Sequence, residues 1–306
     1  MTQKARNLEV LKSNGISVPR GFALKDEHYR AAIAPIAEKI ISALPSSDRI
    51  FEIISKAGMS SRTESCLREA LSTLSGVERF AVRSSGSIRG HREMIREDSA
   101  TVSLAGQFDS FLNVPRKLIP QAVLMCWSSL FNERSVACFA PDRDYVTESF
   151  MSVVIQEMIP ARASAVMMTV DPQGNGDTGA IEFTWGPCEA LVSGFVNPDE
   201  ITFDRRSCDF STPVLGSKRW LVYYSDFVSG KNNSHKVPIP REDRDRVSLD
   251  PKTLREIAAL GLRVERLFGC PQDMEIVVTP DGNVVVTQTR AITTLPSIVM
   301  PLELVQ

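Results

Sequence analysis

The sequence predicts an α+β fold of two lobes, a mainly helical N-terminal lobe over 1–150 and a β-rich C-terminal lobe over 151–306. Three observations point there. Apolar residues recur at helical spacing through most of the first half. Near residue 150 the pattern becomes a series of short β-rich runs, SVVIQEMI, AVMMTV, AIEFTW, EITFD, WLVYYS, MEIVVT and VVVTQT, separated by turn clusters such as DPQGNGDTG and SGKNNS. A single long helical pattern interrupts these runs, so strands and helices do not alternate as a doubly wound sheet requires.

Asn7, Leu8 and Leu11 predict a short helix that Gly15 stops, followed by an extended Val18-Pro19 segment. Asp26 starts a second helix, rich in alanine and isoleucine, to about Leu44, and a third covers SRTESCLREALSTL. The run RFAVR reads as a strand that delivers Arg83 and breaks into a loop at Ser84-Ser85-Gly86-Ser87. PRKLIPQAVLMCWSSLFNERSV then makes an amphipathic helix with Leu118, Val123, Cys126, Trp127 and Leu130 as its buried stripe. In the second half, DPKTLREIAALGLRVERLFG carries Asp250 as N-cap, Pro251 at its first position and Gly269 past its end. Two lobes without an internal repeat or low-complexity linker predict a cleft between them, a usual place for a small ligand.

Composition limits the partners. The 306 residues are 43% hydrophobic and balance 35 Lys+Arg against 37 Asp+Glu, so nucleic acid is not the default partner. No run of eighteen apolar residues and no secretory signal is present, which predicts a soluble cytoplasmic protein and no membrane partner. Cys66, Cys126, Cys138, Cys188, Cys208 and Cys270 form no C-x-x-C pair, and His28, His91 and His235 offer no zinc-ligand spacing. The cysteines are expected to be reduced, mostly buried thiols.

Two segments carry candidate chemistry. In DMEIVVTPDGNVVVTQTR, a two-residue Asp281-Gly282 turn would pair residues whose numbers sum to 563. Thr279 then faces Val284, Val277 faces Val286, Glu275 faces Gln288 and Asp273 faces Arg290, with Thr287 among the residues of the opposite face. A glutamate, a glutamine and an arginine thus share a surface. That surface is either a solvated hairpin face or a hard-cation site, in which Glu275 and Gln288 supply oxygens to Mg²⁺ and Arg290 reaches phosphates on the same ion. The second segment, RSSGS, is either a surface loop or an anion nest of backbone N–H groups beside Arg83. SLAGQFDSF adds another small-residue turn around Ala105-Gly106.

Taken in order, these motifs resemble the N-terminal ATP-grasp domain of the phosphoenolpyruvate synthase and pyruvate phosphate dikinase family, which includes rifampin phosphotransferase. The resemblance rests on KARNLEVLKSNGISVPRGF, VRSSGS, EDSATVSLAGQFDSFLNV, CWSSLF, VVIQEMI, AVMMTVDP, WGPCEALVSGFVNPD and DMEIVVTPDGNVVVTQTRAIT. It implies a two-lobed ATP-grasp fold with the nucleotide in the cleft. It further implies that Lys4 and Arg83 contact ATP phosphates, that Gly106 and Gln107 lie in the loop closing over them, and that Gln156-Glu157-Met158-Ile159 presents backbone to adenine. Glu189 would belong to the nucleotide site, Glu275 and Gln288 would hold Mg²⁺, and Arg290 would bind the terminal phosphate. Lys4, Arg83 and Arg290 are the expected catalytic cations.

The departures bear on the acceptor. IRGHREMIR intervenes before Glu97-Asp98, and its Arg89, His91, Arg92 and Arg96 are either a solvated loop or a binding surface for an anionic acceptor. Pro187-Cys188 stands where the family has Leu-Gly, Ala291 where it has proline, and Met1-Thr2-Gln3 where it has paired glycines. None of the three histidines lies in the family's Gly-rich phosphohistidine context, and all three are expected at the surface. The expected activity is ATP- and Mg²⁺-dependent phosphoryl transfer to a small molecule. The alternatives are transfer to a histidine on a separate protein, ligation through an acyl phosphate, and a non-catalytic nucleotide-binding scaffold.

Overall fold

The computed structural model describes residues 3–89, 94–96, 107–174, 176–225, 227 and 234–292. By contacts the chain forms two units, one of Met1–Arg6, Arg20–Met158 and Tyr224–Asn233, the other of Asn7–Pro19, Ile159–Tyr223 and Ser234–Gln306. The N-terminal helix Gln3–Ser13 begins in the first and continues in the second.

In the first unit, β1 (Gly21–Leu24), β2 (Arg79–Arg89), β3 (Met94–Arg96), β4 (Ser110–Pro115) and β5 (Phe150–Glu157) form an antiparallel sheet of order β1-β5-β2-β3, with β4 also paired to β2. Phe80, Val82, Val153 and Ile155 of β2 and β5 join a core with Ile50 and Ile54 of helix Ser47–Ala57 and with Val123, Cys126 and Trp127 of helix Ile119–Ser128. The helix Ser47–Ala57 was not anticipated, although Ile50 and Ile54 show the i, i+4 spacing of a buried stripe.

Several expectations are corrected here. The helix drawn from Asp26 to Leu44 is Asp26–Ile33, a 3₁₀ turn Ala34–Ile36 and Ala37–Ala43, because Pro35 supplies no N–H to a continuous α ladder. The stretch from Pro115 likewise divides, and Leu118 falls in the 3₁₀ turn Arg116–Leu118, only partly buried. Asn132 caps a further helix, Glu133–Phe139, by accepting from Ser135 N at 2.9 Å.

The largest correction concerns RSSGS, which is strand rather than loop. β2 runs through it, pairing Arg83 with Val154, Ser84 with Val153, Ser85 with Ser152 and Gly86 with Met151. Ladder pairing on β5 overrides the local turn propensity, and the glycine in the run is explained by crowding. A Cβ on Gly86 would lie 2.5 Å from the Phe108 ring. No open turn of N–H groups exists there to form an anion nest.

His28 is buried rather than surface, with Nδ1 3.0 Å from Thr63 Oγ1, while His235 is exposed and His91 lies outside the described residues. No cysteine is in a disulfide, but only Cys126 and Cys188 are buried and Cys66 and Cys138 are exposed.

The second unit contains a five-stranded antiparallel sheet of order β12-β11-β6-β7-β8, from β6 (Ala163–Met168), β7 (Thr178–Trp185), β8 (Asp199–Asp204), β11 (Gln272–Val278) and β12 (Val284–Ala291). β9 (Trp220–Tyr224) and β10 (Ser234–Pro238) pair separately. Helix Pro251–Phe268 is capped as expected, Asp250 accepting from Thr253 N at 2.9 Å and Gly269 adopting φ 69°. Its Leu254, Ile257, Ala258 and Leu262 pack with Ala163, Ala165, Met167, Ile181, Phe183, Met274 and Ile276, so one face of the sheet is core. Gly261 permits the close approach, since a Cβ there would collide with Met167. Alternation leaves Glu275, Val166 and Glu182, in register across β11, β6 and β7, on the opposite face. Among the described residues no helix is long and apolar enough to cross a membrane.

Candidate functional site

Each unit carries its own set of the expected residues. In the first, Arg83 pairs in register with Val154 of β5 and Ser110 of β4. Phe80 and Val82 face the core, so period two places Arg83 and Gln156 on the other face of the sheet. Lys4 of the N-terminal helix donates to the Ser84 carbonyl at 3.2 Å, which sets its ammonium beside Arg83 in the chain. Gln107 accepts at its carbonyl from Asn132 Nδ2 at 2.8 Å. Gly106 lies outside the described residues, as do 90–93 and 97–105 of the charged segment and its sequel.

Two buried amide oxygens here have no hydrogen-bond partner among the described residues, Gln107 Oε1 and Gln156 Oε1. A native fold rarely leaves such acceptors unsatisfied, so both can take a donor that the described residues do not supply. At the end of β5 the main-chain donors are already engaged within the chain. Glu157 N and Met158 N donate to the carbonyls of Arg20 and Arg79 at 2.8 and 2.9 Å. Arg20 N–H, however, is taken by the Glu157 carboxylate at 2.8 Å rather than by a ladder carbonyl, and Arg20 Nε binds the same carboxylate at 2.9 Å. Main-chain pairing of β1 with β5 therefore stops at this point.

In the second unit the β11–β12 hairpin pairs Glu275 with Gln288 and Asp273 with Arg290, as the sequence reading has it. The rest of the expected register is corrected. The loop has three residues, Thr279 N donating to Asn283 O at 3.0 Å and Gly282 N to Thr279 O at 2.9 Å, with Gly282 at φ 85°. A two-residue turn would place Pro280 where a pairing N–H is needed, and proline has none. Val278 thus faces Val284, Val277 faces Val285 and Ile276 faces Val286. A bulge between Glu275 and Ile276 then restores the pairs beyond it. The extra residue is Thr287, whose hydroxyl donates to Glu275 O at 3.2 Å.

The Gln288 amide is half-buried and makes no hydrogen bond among the described residues. Arg290 donates Nε and Nη2 to Asp273 Oδ2 at 2.8 and 2.7 Å. Burial pushes the Asp273 carboxyl above its ordinary range, against the pull of Arg290. Glu182 is also raised, first by burial and then by the charges of Glu200 and Asp273. The sequence reading named neither acid as a site residue. Asp273 was visible as Arg290's partner, whereas Glu182 needed the sheet order to place it in line with Glu275.

These groups fit a divalent cation. Glu275 offers a charged oxygen and the adjacent Gln288 a neutral one, and no group of three or more His, Cys, Asp or Glu poised to enclose a metal is present among the described residues. Two protein oxygens with the remainder from phosphate and water is the usual manner of holding Mg²⁺. Ile159 precedes Pro160 where the chain enters this unit, and its N–H has no backbone partner among the described residues. Glu189 opens the short helix Glu189–Val192, its carboxylate accepting from Ser193 Oγ at 3.1 Å.

A family model described as the pyruvate phosphate dikinase, AMP/ATP-binding domain matches residues 3–300. A rifampicin phosphotransferase of Streptomyces sp is 32% identical over 304 residues, covering 94% of this chain and 33% of that protein. A probable phosphoenolpyruvate synthase of Methanothermobacter thermautotrophicus is 29% identical over 314 residues, covering 95% and 44%. The prodigiosin synthesizing transferase PigC of Serratia marcescens is 30% identical over 293 residues, covering 95% and 31%. The chain therefore spans less than half the length of these curated relatives.

Proposed function

Because the chain belongs to the pyruvate phosphate dikinase AMP/ATP-binding domain family, an ATP-grasp family, we propose that it binds ATP with Mg²⁺ and transfers a phosphoryl group to a small-molecule acceptor. The observation that carries this reading is the pairing of Glu275 with Gln288 on one face of the hairpin, the Gln288 amide having no partner among the described residues, and Arg290 one alternation away.

Glu275 and Gln288 hold the metal, which when bound neutralises phosphate charge and orients the transferring group. Arg290 donates to the terminal phosphate while Asp273 fixes the plane of its guanidinium. Lys4 and Arg83 add positive charge along the phosphate chain. Gln107 and Gly106 belong to the segment over the phosphates. Gln156 Oε1 accepts from the exocyclic amine of adenine, and the backbone of Glu157, Met158 and Ile159 meets the base edge. Glu189 contributes a further polar group to nucleotide binding. Phosphoryl transfer asks mostly for positioning and charge neutralisation, which this inventory supplies.

A second reading is transfer to a histidine on a separate protein, suggested by the likeness to a probable phosphoenolpyruvate synthase rather than to a rifampicin phosphotransferase alone. The product nucleotide separates the two. Incubation with ATP and Mg²⁺ is expected to give ADP with a small-molecule acceptor, and AMP plus phosphate with a histidine carrier. Glu275→Ala is expected to abolish metal-dependent turnover. Nucleotide binding without any turnover under all conditions would instead make the protein a scaffold.

A further inference from the structure

We propose that Asn7 is a positioning residue for the hairpin that presents Gln288 and Arg290. The inference rests on the metal and phosphate roles assigned to that hairpin above.

β12 is an edge strand among the described residues, so every second residue turns its N–H and C=O outward with no described neighbouring strand to pair them. Two of these outward groups are held by the segment Asn7–Pro19. Val286 N donates to Ser17 O at 2.9 Å, and Thr289 O accepts from Asn7 Nδ2 at 2.8 Å. Positions 286 and 289 are three apart, whereas outward groups on a regular strand are separated by an even number. The odd spacing is produced by the inserted residue Thr287, and the two contacts bracket the bulge and Gln288 with it.

A bulge interrupts the ladder where it sits, so β11 alone holds this stretch less firmly than a regular pair would. Asn7 acts at its weak side. Its amide is buried, as are Thr289 and Gln272, and Thr289 Oγ1 continues the connection to Gln272 Oε1 at 2.8 Å. Gln272 N in turn donates to Thr169 Oγ1 at 2.9 Å. A chain of buried polar groups thus runs from Asn7 beneath β12 and β11 into the strand end after β6, on the face opposite Glu275 and Gln288. Outer groups that orient a metal ligand commonly change metal affinity by 10- to 100-fold when removed.

The test compares Asn7→Leu and the milder Asn7→Thr with wild type, using Mn²⁺ as the probe in the presence of ADP and following free Mn²⁺ by electron paramagnetic resonance. Both variants are expected to weaken Mn²⁺ about tenfold. Without metal or nucleotide, both are expected to speed amide exchange at Gln288 to Arg290 while leaving β7 and β8 unchanged. Ser248→Ala, a buried polar loss elsewhere in the same unit, is the control for general destabilisation and is expected to leave Mn²⁺ affinity unchanged. If Glu275→Ala and Gln288→Ala weaken Mn²⁺ but both Asn7 variants bind it normally with unaltered exchange, the positioning role is wrong and the metal assignment stands. If Glu275→Ala and Gln288→Ala bind Mn²⁺ as wild type does, the metal assignment itself fails.

Discussion

Asp199→Asn is expected to be among the most destabilising single substitutions in the second unit. Asp199 opens β8, and its carboxylate and the Lys218 ammonium are both fully buried and in contact. Oδ1 also accepts from Gly216 N at 3.1 Å, and Oδ2 from Ser248 N at 3.0 Å and Ser248 Oγ at 3.1 Å. Removing one member of a buried pair costs about 3–5 kcal/mol because the other charge is left uncompensated. Asparagine is worse placed than that range alone implies. Its NH₂ must face either Ser248 N–H or the Lys218 and Gly216 donors, so donors oppose donors whichever way the amide turns. The upper part of the range, about 4–5 kcal/mol, is therefore expected. Lys218→Met leaves the carboxylate three neutral donors and is expected near the lower end, about 3 kcal/mol. The double variant, with both charges gone, is expected to be more stable than Asp199→Asn alone. Urea titration followed by tryptophan fluorescence reads this, since Trp185 and Trp220 both lie in the second unit. A loss below about 1 kcal/mol for Asp199→Asn would refute the account of this cluster as a desolvated, fully donor-satisfied pair.

If Arg290 holds the terminal phosphate as proposed, Arg290→Met removes a charge-assisted contact worth about 1.5–3 kcal/mol, and kcat/KM for ATP is expected to fall about 10- to 150-fold. Arg290→Lys is expected to restore little, because an ammonium cannot hold Asp273 through a planar fork and serve phosphate as well. Gly86→Ala, which drives a methyl into the Phe108 ring, is expected to cost about 1–3 kcal/mol by overpacking, measured by thermal denaturation. Burial lowers the His28 pKa below 6.5, so the unfolded chain takes the proton first. The stability contributed by neutral His28 is present above pH 6.5 and is lost as pH falls through the lower folded value. Denaturation midpoints from pH 7.5 to 5 are expected to fall less steeply in His28→Gln, and equal slopes would remove the effect.

The parts legible in the sequence were those governed by local rules. Asp250 and Gly269 bound their helix because a side-chain cap and a left-handed C-terminal residue are local requirements. The parts that were not legible were decided by pairing at a distance. Ser84 to Ser87 look like a turn from their own chemistry, yet β5 recruits them into eight consecutive pairs from Phe80 to Ser87. His28 reads as a surface residue in KDEHYR until Thr63, thirty-five residues away, is brought to its ring. Glu182 carries no local mark at all, and only the strand order sets it in line with Val166 and Glu275.

The hairpin shows how a correct pair can be reached through an incorrect path. The sequence reading places one residue too few in the loop, which shifts Val277 and Thr279 out of register, and it omits a bulge, which shifts them back before Glu275. The two errors have opposite sign and cancel where the candidate ligands sit. Such cancellation is also what the physics requires. Pro280 forces the longer loop, and an uncorrected ladder would then place Thr287 opposite Glu275 and turn the Gln288 side chain toward the core. The bulge returns Gln288 and Arg290 to the open face at the expense of ladder strength. The contact from Asn7 to Thr289 lies beside that weakened stretch, so the requirement for it follows from a proline seven residues before Thr287 in the chain.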